Sequence, residues 1–468
     1  MIKIKDEEGQ MIKLLLNNNK DLIVERYELF RNLNCLTSYK LVKNKVTEFD
    51  LLYLNDFNGK IKLNYLDEHY HLIKLVGDIL IDDNDDQLSY LNEIKKLFYK
   101  PRKSLKVLIN PVGGKGRSLK LYKSIIKPIL SASGNDIDEE VLQYNKHAMD
   151  IAKTLELKYD TLVCISGDGC LHEVLNGFYQ HADPINAFRI PICPVPTGSG
   201  NSLSLCILGL ELGFNVAFAA LNAVNGKRMP LDLFSIHMDD QTFISYLTQC
   251  TGLMADLDIG TEHLRWMGDN RFVYGYLRSL VFNKPIDCEL YVKVDNDNKF
   301  DMISNLRKIN NLNNTNDDTE NSNNDVDNKG TTNNEKLFEI KYTCAQPDWL
   351  KISDDISYIY AGQVPWVSRD LKQFPVALPN DGYIDIAIQS NVSRTHKLMS
   401  INGAENASFF FDNSLTYIKS KAYHLIPKSA NTYISIDGEN VPLKPYTCEV
   451  HNGLANVLSP FNTWNNQF

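Results

Sequence analysis

An α/β domain with a mostly parallel sheet, followed by an antiparallel β-sandwich domain, is the fold class that the sequence predicts, and two observations predict it. Between residues 105 and 226, short apolar runs alternate with amphipathic stretches across glycine-rich turns, the rhythm of βα units with helices on both faces of one sheet. Beyond residue 227, strand follows strand with turn residues between them, as in a sandwich. The expected domains are an accessory region over 1–100, the α/β domain over 101–226 and the sandwich over 227–468.

Bulk composition agrees with such a body. The chain has 468 residues, 43% hydrophobic and 23% charged, enough for a large core. A net charge of -9 argues against a nucleic-acid partner, because phosphate binding wants a basic surface, and confines any membrane contact to a local patch. Nine cysteines include no CxxC pair, and Cys164, Cys193 and Cys206 lie in apolar stretches. Buried thiols in a reducing compartment are expected, with neither a disulfide framework nor a zinc site. No apolar run approaches the roughly 18 residues of a membrane span, and the start, "MIKIKDEEGQ", lacks the apolar stretch of a secretory signal. The expectation is a cytoplasmic protein, at most peripheral on a membrane.

Taken in order, residues 1–100 contain short alternating stretches such as "NYLDEHYHLIKLVGDILI" and predict a small β-rich accessory region without catalytic spacing. "LKVLIN" is the first strand of the α/β domain. The helix after it carries Leu119, Tyr122, Ile126, Ile129 and Leu130 at helical spacing, and Pro128 should end or bend it. "EVLQY" predicts a strand, residues 148–157 a helix, and "TLVCIS" a strand. The next helix has an apolar face of Leu171, Val174, Leu175 and Phe178. "IPICPVP" runs into "TGSGNSLS" and another helix, and "NVAFAALNAVNG" closes the domain with Gly226 as its C-cap. The predicted sandwich strands are "MPLDLFSI", "QTFISYLTQC", "DCELYVKV", "LFEIKYTC", "YIDIAIQ" and "TYISID". Residues 296–336 hold 14 asparagines with few large apolar side chains, a composition that predicts a disordered insertion between two strands.

Three glycine-rich turns at strand-to-helix junctions ask for a common explanation. "NPVGGKG" can turn backbone N–H groups and a helix N-terminus toward an anion, with Lys115 adding charge. "PTGSGNS" repeats the logic, its glycines permitting close approach and Thr197, Ser199 and Asn201 offering hydrogen bonds. Neither GxxxxGK[ST] nor GxGxxG fits at these turns. Each loop alone reads as a turn. Three along one sheet edge predict a polyphosphate cradle, since such junctions form the ligand crevice of open α/β sheets. In "SGDGCLHEVLNG" the aspartate, Asp168, repels phosphate, so it would accept a proton from a hydroxyl or hold magnesium.

"NPVGGKG", "SGDGCLHEVLNG", "PTGSGNSLS", "ADLDIGTEHLRWMGDNRF" and "IDGENVP", in this order, resemble the successive blocks of the sphingosine, or long-chain-base, kinases among the diacylglycerol-kinase-like lipid kinases. The N-terminal extension and the Asn-rich insertion resemble those of fungal members. The resemblance implies an NAD-kinase/diacylglycerol-kinase-like nucleotide-binding domain, a β-sandwich lipid domain, and phosphorylation of a sphingoid base at its primary hydroxyl with ATP and Mg2+. It implies Asp168 as general base. It also implies nucleotide contacts from Asn110, Gly113, Gly114, Lys115, Gly116, Ser166, Gly167, Glu173, Gly198 and Ser199, and from Asp437 and Glu439 of the "DGE" turn, which by itself reads as a hairpin turn. Arg265 and Arg271 match arginines that reach the phosphates, where two cations would stabilise transition-state charge; their bland reading is surface salt-bridging. Asp258 and Thr248 match the residues that meet the lipid's ammonium and hydroxyls, and Asp256, two residues earlier, would point to the opposite face of a strand.

No metal ligand is assigned. His147 and His172 read as packing or helix-start residues, and Leu142 stands where some relatives have a nucleotide-contacting Thr. Cys35 is a candidate for acylation, weighed against an ordinary free thiol. The expected partners are a sphingoid-base lipid and, peripherally, internal or plasma membranes; the oligomeric state stays open, a homodimer included. A ceramide or diacylglycerol kinase of the same superfamily, and a non-catalytic lipid-binding protein, are the alternative readings.

Overall fold

The computed structural model describes the chain apart from residues 8–9, 32–36, 58–59, 81–84, 262–263, 265–273, 276–284, 316–339, 354, 397–402 and 429–431. Its first part is a seven-stranded antiparallel sheet: β1 (Ile2–Asp6), β2 (Met11–Leu16), β3 (Leu22–Arg31), β4 (Thr37–Val46), β5 (Leu51–Phe57), β6 (Lys60–Leu66) and β7 (Leu72–Leu80), in the order β4-β3-β2-β1-β7-β6-β5. Period-2 alternation buries Ile2 and Ile4, Ile12 and Leu14, Leu22 and Val24, and Ile61 and Leu63 on one face. Helix α1 (Asp85–Leu97) closes that face with Leu91 and Ile94.

The α/β part follows as β8 (Ser104–Ile109), α2 (Ser118–Leu121), a π turn (Tyr122–Ile126), α3 (Lys127–Ala132), β9 (Asp136–Val141), α4 (His147–Lys153), β10 (Thr161–Ser166), α5 (Asp168–Tyr179), α6 (Pro184–Arg189), β11 (Ile192–Pro196), α7 (Ser202–Leu212) and α8 (Val216–Asn225). Its strands are parallel in the order β11-β10-β8-β9. β10 is buried along its whole length, as a central parallel strand covered on both faces must be. Pro128 does not end the helix. The π turn before it absorbs the lost N–H, and Pro128 sits in the first turn of α3, where no intrahelical partner is needed. The edge strand begins at Asp136, earlier than "EVLQY" suggests, because alternating acidic side chains on an edge can face solvent.

Contacts between the N-terminal sheet and the α/β part lie where the parallel strands begin. Asn225 Nδ2 donates to the carbonyls of Phe49 (2.6 Å) and Leu51 (2.8 Å), and Asn64 Nδ2 to that of Ala132 (2.7 Å). Phe49 and Tyr70 pack on Phe218 at 5.6 and 5.2 Å between ring centroids. Lys100 Nζ donates to the Leu51 carbonyl (2.7 Å), and burial pushes its ammonium down to about 8. The accessory sheet is therefore docked at the sheet edge opposite the glycine-rich loops.

The remaining elements are β12 (Lys227–Met238), β13 (Gln241–Ser245), β14 (Thr248–Gly252), α9 (Leu253–Asp258), β15 (Cys288–Asn296), α10 (Lys299–Thr315), β16 (Leu350–Ile352), β17 (Ile356–Gly362), β18 (Ile384–Ser390), β19 (Leu415–Pro427), β20 (Ile434–Ile436), β21 (Glu439–Val441) and β22 (Tyr446–Ser459). The antiparallel character expected of this part is present. These strands form one antiparallel sheet that joins the parallel one through β22 beside β11. Long, bulged strands make this feasible: β12 slips register against β22 between Leu231 and Leu233, and β15 slips twice against β19. The sheet encloses a core that includes Phe234, Ile236, Leu290, Ile359, Ile386 and Tyr423. "QTFISYLTQC" breaks into two strands at Tyr246 and Leu247, and residues 340–344 of "LFEIKYTC" are irregular.

The insertion also departs from expectation. Its first part is α10, with Asn298 Oδ1 accepting the N–H groups of Phe300 (3.0 Å) and Asp301 (3.3 Å) as an N-cap. Met302, Ile303 and Leu306 are buried against Phe374, Val376 and Phe410. Averaging over the asparagines hid this apolar stripe. The rest of the insertion, from 316, falls outside the described residues. Among the described residues, no single helix is long and apolar enough to cross a membrane.

Candidate active site

The strand ends of β8, β10 and β11 bring the three glycine-rich turns together, and their backbones touch. A Cβ on Gly198 would lie 2.2 Å from Gly167 Cα, and one on Gly114 2.5 Å from the Thr197 carbonyl oxygen. These glycines are required first by loop-to-loop packing. Side chains complete the joint: Asn110 Nδ2 donates to Ser166 Oγ (3.1 Å), Ser118 Oγ to Thr197 Oγ1 (2.9 Å), and Asn201 closes its own turn through both backbone groups of Gly198 (3.1 and 2.9 Å). Asn110, Ser166 and Asn201 thus shape the loops, and Ser118 is a further member that its place outside the glycine motif concealed.

Among the described residues, no acceptor takes the backbone N–H of Gly113, Gly114, Lys115, Ser199 or Gly200. Gly114, Lys115, Gly116, Ser199 and Gly200 are exposed. Unused donors on two facing loops, beside the N-termini of α2 and α5, make a site for an anion. Arg117, which the sequence reasoning passed over, is exposed beside Lys115, and no ion pair among the described residues engages either cation.

Asp168 opens α5 at the floor of this crevice. Its carboxylate accepts the N–H groups of Ser202 (2.7 Å) and Leu203 (3.3 Å), its own N–H donates to the Gly200 carbonyl (3.1 Å), and the Tyr246 hydroxyl donates to its carbonyl (2.9 Å). Burial pushes its carboxyl up to about 6, against the pull of the α7 N–H groups.

The other expected nucleotide contacts divide. Glu173 spends both oxygens on the N–H groups of Lys146 (3.1 Å) and Ala148 (3.2 Å), holding Lys146 at a left-handed φ of 68°. Its role is to shape the turn before α4, where Tyr144 stacks on His147 at 4.4 Å. Asp437 points inward and is fully buried. Oδ1 accepts from Ser245 Oγ (2.8 Å), Leu247 N (2.9 Å) and Thr248 N (3.0 Å); Oδ2 accepts from Tyr246 N (3.0 Å) and lies 2.8 Å from His172 Nδ1. With every oxygen engaged, Asp437 joins α5 to the β13–β14 connection and leaves the crevice to Glu439, whose Oε1 is 3.9 Å from a Cβ placed on Gly169. His172 thereby gains a partner, and Asn176 stitches the same helix to both backbone groups of Ile244 (2.8 and 2.9 Å).

On the far side of that connection, Thr248 and Cys250 share a face of β14 with Tyr360 of β17 and Ser435 of β20. Asp258 ends α9 above it and accepts Ser435 Oγ at 2.6 Å. Asp256 and Asp258 are helical rather than in a strand, and two residues turn a helix by about 200°, so the carboxylates still diverge. Burial pushes Asp256 up to about 6. Arg265, Arg271 and Cys35 lie outside the described residues. Eight further cysteines are free thiols.

The diacylglycerol kinase catalytic domain family matches residues 104–236. Sphingoid long chain base kinase 5 of Saccharomyces cerevisiae is 32% identical over 423 residues, covering 79% of this chain and 61% of that protein. Sphingoid long chain base kinase 4 of Schizosaccharomyces pombe is 32% identical over 389 residues, covering 81% of this chain and 80% of that one. A solved structure from Bacillus anthracis str. Sterne, described as a diacylglycerol kinase, superposes with a TM-score of 0.51 at 16% identity over 76% of this chain and 97% of its own, which shows a shared fold. The chain belongs to the family of sphingoid long-chain-base kinases.

Proposed function

We propose that the protein transfers the γ-phosphoryl group of ATP to the primary hydroxyl of a sphingoid long-chain base. The observation that carries this reading is the buried Asp168 carboxylate at the floor of a crevice whose facing loops offer unused N–H groups. Those donors suit the phosphates, and a carboxyl held at about 6 is ionised yet basic near neutral pH. As the acceptor oxygen attacks phosphorus in line and the bond to the β–γ bridging oxygen breaks, Asp168 takes the hydroxyl proton and ADP leaves. Asp258 and Thr248 hold the head group, and Arg265 and Arg271 offset charge on the transferring group.

No group of three or more His, Cys, Asp or Glu among the described residues is arranged around a metal. Mg2+ keeps most of its shell in phosphate oxygens and water and takes one or two carboxylates. Glu439, which faces the crevice beside Gly169, would hold it, and when bound it would neutralise phosphate charge. The lipid acceptor brings a cytoplasmic protein to an internal or plasma membrane as a peripheral visitor. The test is ATP turnover against dihydrosphingosine, phytosphingosine, ceramide and diacylglycerol. Turnover confined to acceptors with a free amine supports the reading. Equal turnover of ceramide or diacylglycerol, or none with any lipid, overturns it.

A further inference from the structure

Asp258 is aimed by its surroundings. The chain reverses between β14 and α9 at Gly252, which has φ 76° and where a Cβ would lie 2.5 Å from the Ser357 carbonyl oxygen. That tight turn lays the short helix back over β14 and puts its last residue, Asp258, beside Cys250 and Ser435. Around them the surface is apolar: Leu253, Leu257 and Tyr358 form one cluster, with Met254 and Tyr360 against it. In β-sheet register Cys250 faces Ser435 on one side and Tyr360 on the other. Ser435 is 1% exposed and gives its only proton to Asp258 Oδ2 at 2.6 Å. With that proton committed, Ser435 Oγ can only accept from any other neighbour.

We propose that Ser435 is a specificity-determining positioning residue: its hydroxyl fixes the rotamer of Asp258 so that the carboxylate meets an ammonium group on the acceptor lipid. A half-buried carboxylate above an apolar face can rotate about two side-chain torsions, and a charge-assisted hydrogen bond to one oxygen selects a single arrangement. Recognition of a cation depends on that arrangement, whereas a neutral amide gains little from it. The inference rests on the sphingoid-base reading and deepens it.

The experiment compares wild type, Ser435→Ala and Ser435→Thr. It records melting temperature, KM for ATP, KM and kcat for dihydrosphingosine, and the inhibition constant of N-acetyldihydrosphingosine. Ser435→Ala should raise KM for the amine about tenfold, or about 1.4 kcal/mol, the net worth of one such hydrogen bond. The kcat, the ATP KM and the amide's inhibition constant should stay within about twofold, and Ser435→Thr, which keeps the hydroxyl, should recover most of the amine affinity. Equal weakening of amine and amide, or an unchanged amine KM in an active enzyme, overturns the role of Ser435 while leaving the function standing. A well-folded wild type that turns over no sphingoid base overturns both. Should Ser435→Ala melt far below wild type, Ser435→Cys, matched in size and a weaker donor, must fall between wild type and Ala in amine KM, or the inference fails.

Discussion

Replacing Asp437 by Asn separates a structural keystone from a nucleotide ligand, the role that family resemblance suggests. The carboxylate is buried and has five neighbours that can donate: Ser245 Oγ, three backbone N–H groups and His172. An amide oxygen in the Oδ1 position would keep three of them. Its NH2 would then face the Tyr246 N–H donor to donor, leaving a buried backbone group unsatisfied at about 1–3 kcal/mol. The His172 pairing is lost as well, and breaking a buried charge pair on one side costs about 3–5 kcal/mol. The sum is a large part of the roughly 5–15 kcal/mol that holds a domain together. Thermal and urea denaturation of Asp437→Asn should therefore show a loss of at least about 3 kcal/mol, with ATP affinity in the folded fraction within a few-fold of wild type. A variant as stable as wild type that has lost nucleotide would refute the keystone and restore the ligand.

The same pair gives stability a pH dependence of known sign. Burial pushes His172 down, but the hydrogen bond and charge of Asp437, with Glu439 and Glu173 behind it, more than reverse this and leave it above its ordinary 6.5. A raised folded-state value means stabilisation that is complete below the unfolded value of about 6.5 and is lost as pH rises through the folded one. Melting temperature should fall across that alkaline window, and His172→Gln should flatten the fall.

Other outcomes follow from the site and the insertion. Because Asp168 must be ionised to act and burial holds it at about 6, kcat/KM should drop on the acid side with a midpoint near 6, and a profile flat down to pH 5 would remove Asp168 as the base. Asp168→Asn should fold and bind ATP yet lose about 10²–10⁴-fold in kcat, checked by single-turnover phosphorylation; turnover within a few-fold of wild type excludes the role. Gly198→Ala forces a Cβ to 2.2 Å from Gly167 Cα and should prise the loops apart, lowering kcat/KM for ATP about 10²-fold; wild-type values would show the contact to be dispensable. Replacing residues 316–336 with a short Gly/Ser linker should change stability by only about 0.6 kcal/mol per halving of length, whereas extending the cut to 299 removes buried Met302, Ile303 and Leu306 and should cost several kcal/mol, both read by denaturation.

Much of the α/β part was legible because its signals are local. "TLVCIS" is a continuous apolar run followed by a glycine, and only a buried parallel strand feeding a helix suits it. The cradle was legible for a partly mistaken reason. Glycines at 114, 167 and 198 read as space for a ligand, but the contact that excludes their side chains is with one another, a relation between distant loops that spacing along one chain cannot express. Asp437 and Gly438 read as a hairpin turn and are one, with φ 52° and 83° as a type I′ turn requires. What the pattern left open was the direction of the Asp437 carboxylate, which depends on backbone N–H groups some 190 residues earlier. The helix α10 was readable: Asn298 stands before Met302, Ile303, Leu306 and Ile309 at helical spacing, and averaging over 41 residues of mostly polar insertion buried that signal.

An aspartate between two glycines, after a buried strand, can now be understood from its lone pairs. A carboxylate offers about four acceptor sites. Ser202 N–H and Leu203 N–H, at the start of α7, occupy one on each oxygen, so each oxygen keeps a further site for a substrate proton. The side chain can therefore act as a base without leaving the helix end that orients it. Gly167 is small because the 196–202 loop must come close enough for α7 to reach the carboxylate, and the same approach lets Asp168 N–H find the Gly200 carbonyl. Tyr246 holds the Asp168 carbonyl rather than its side chain, and Asp437 in turn holds the Tyr246 N–H and the Thr248 N–H. One chain of satisfied hydrogen bonds thus runs from the base, across the joined sheets, to the strand that carries the acceptor-facing residues. Because each link is buried and paired, replacing Asp437 is expected to weaken the joint between the two halves and to register as lost stability, whereas replacing Asp168 or Asp258, each at one end, is expected to affect its own half alone.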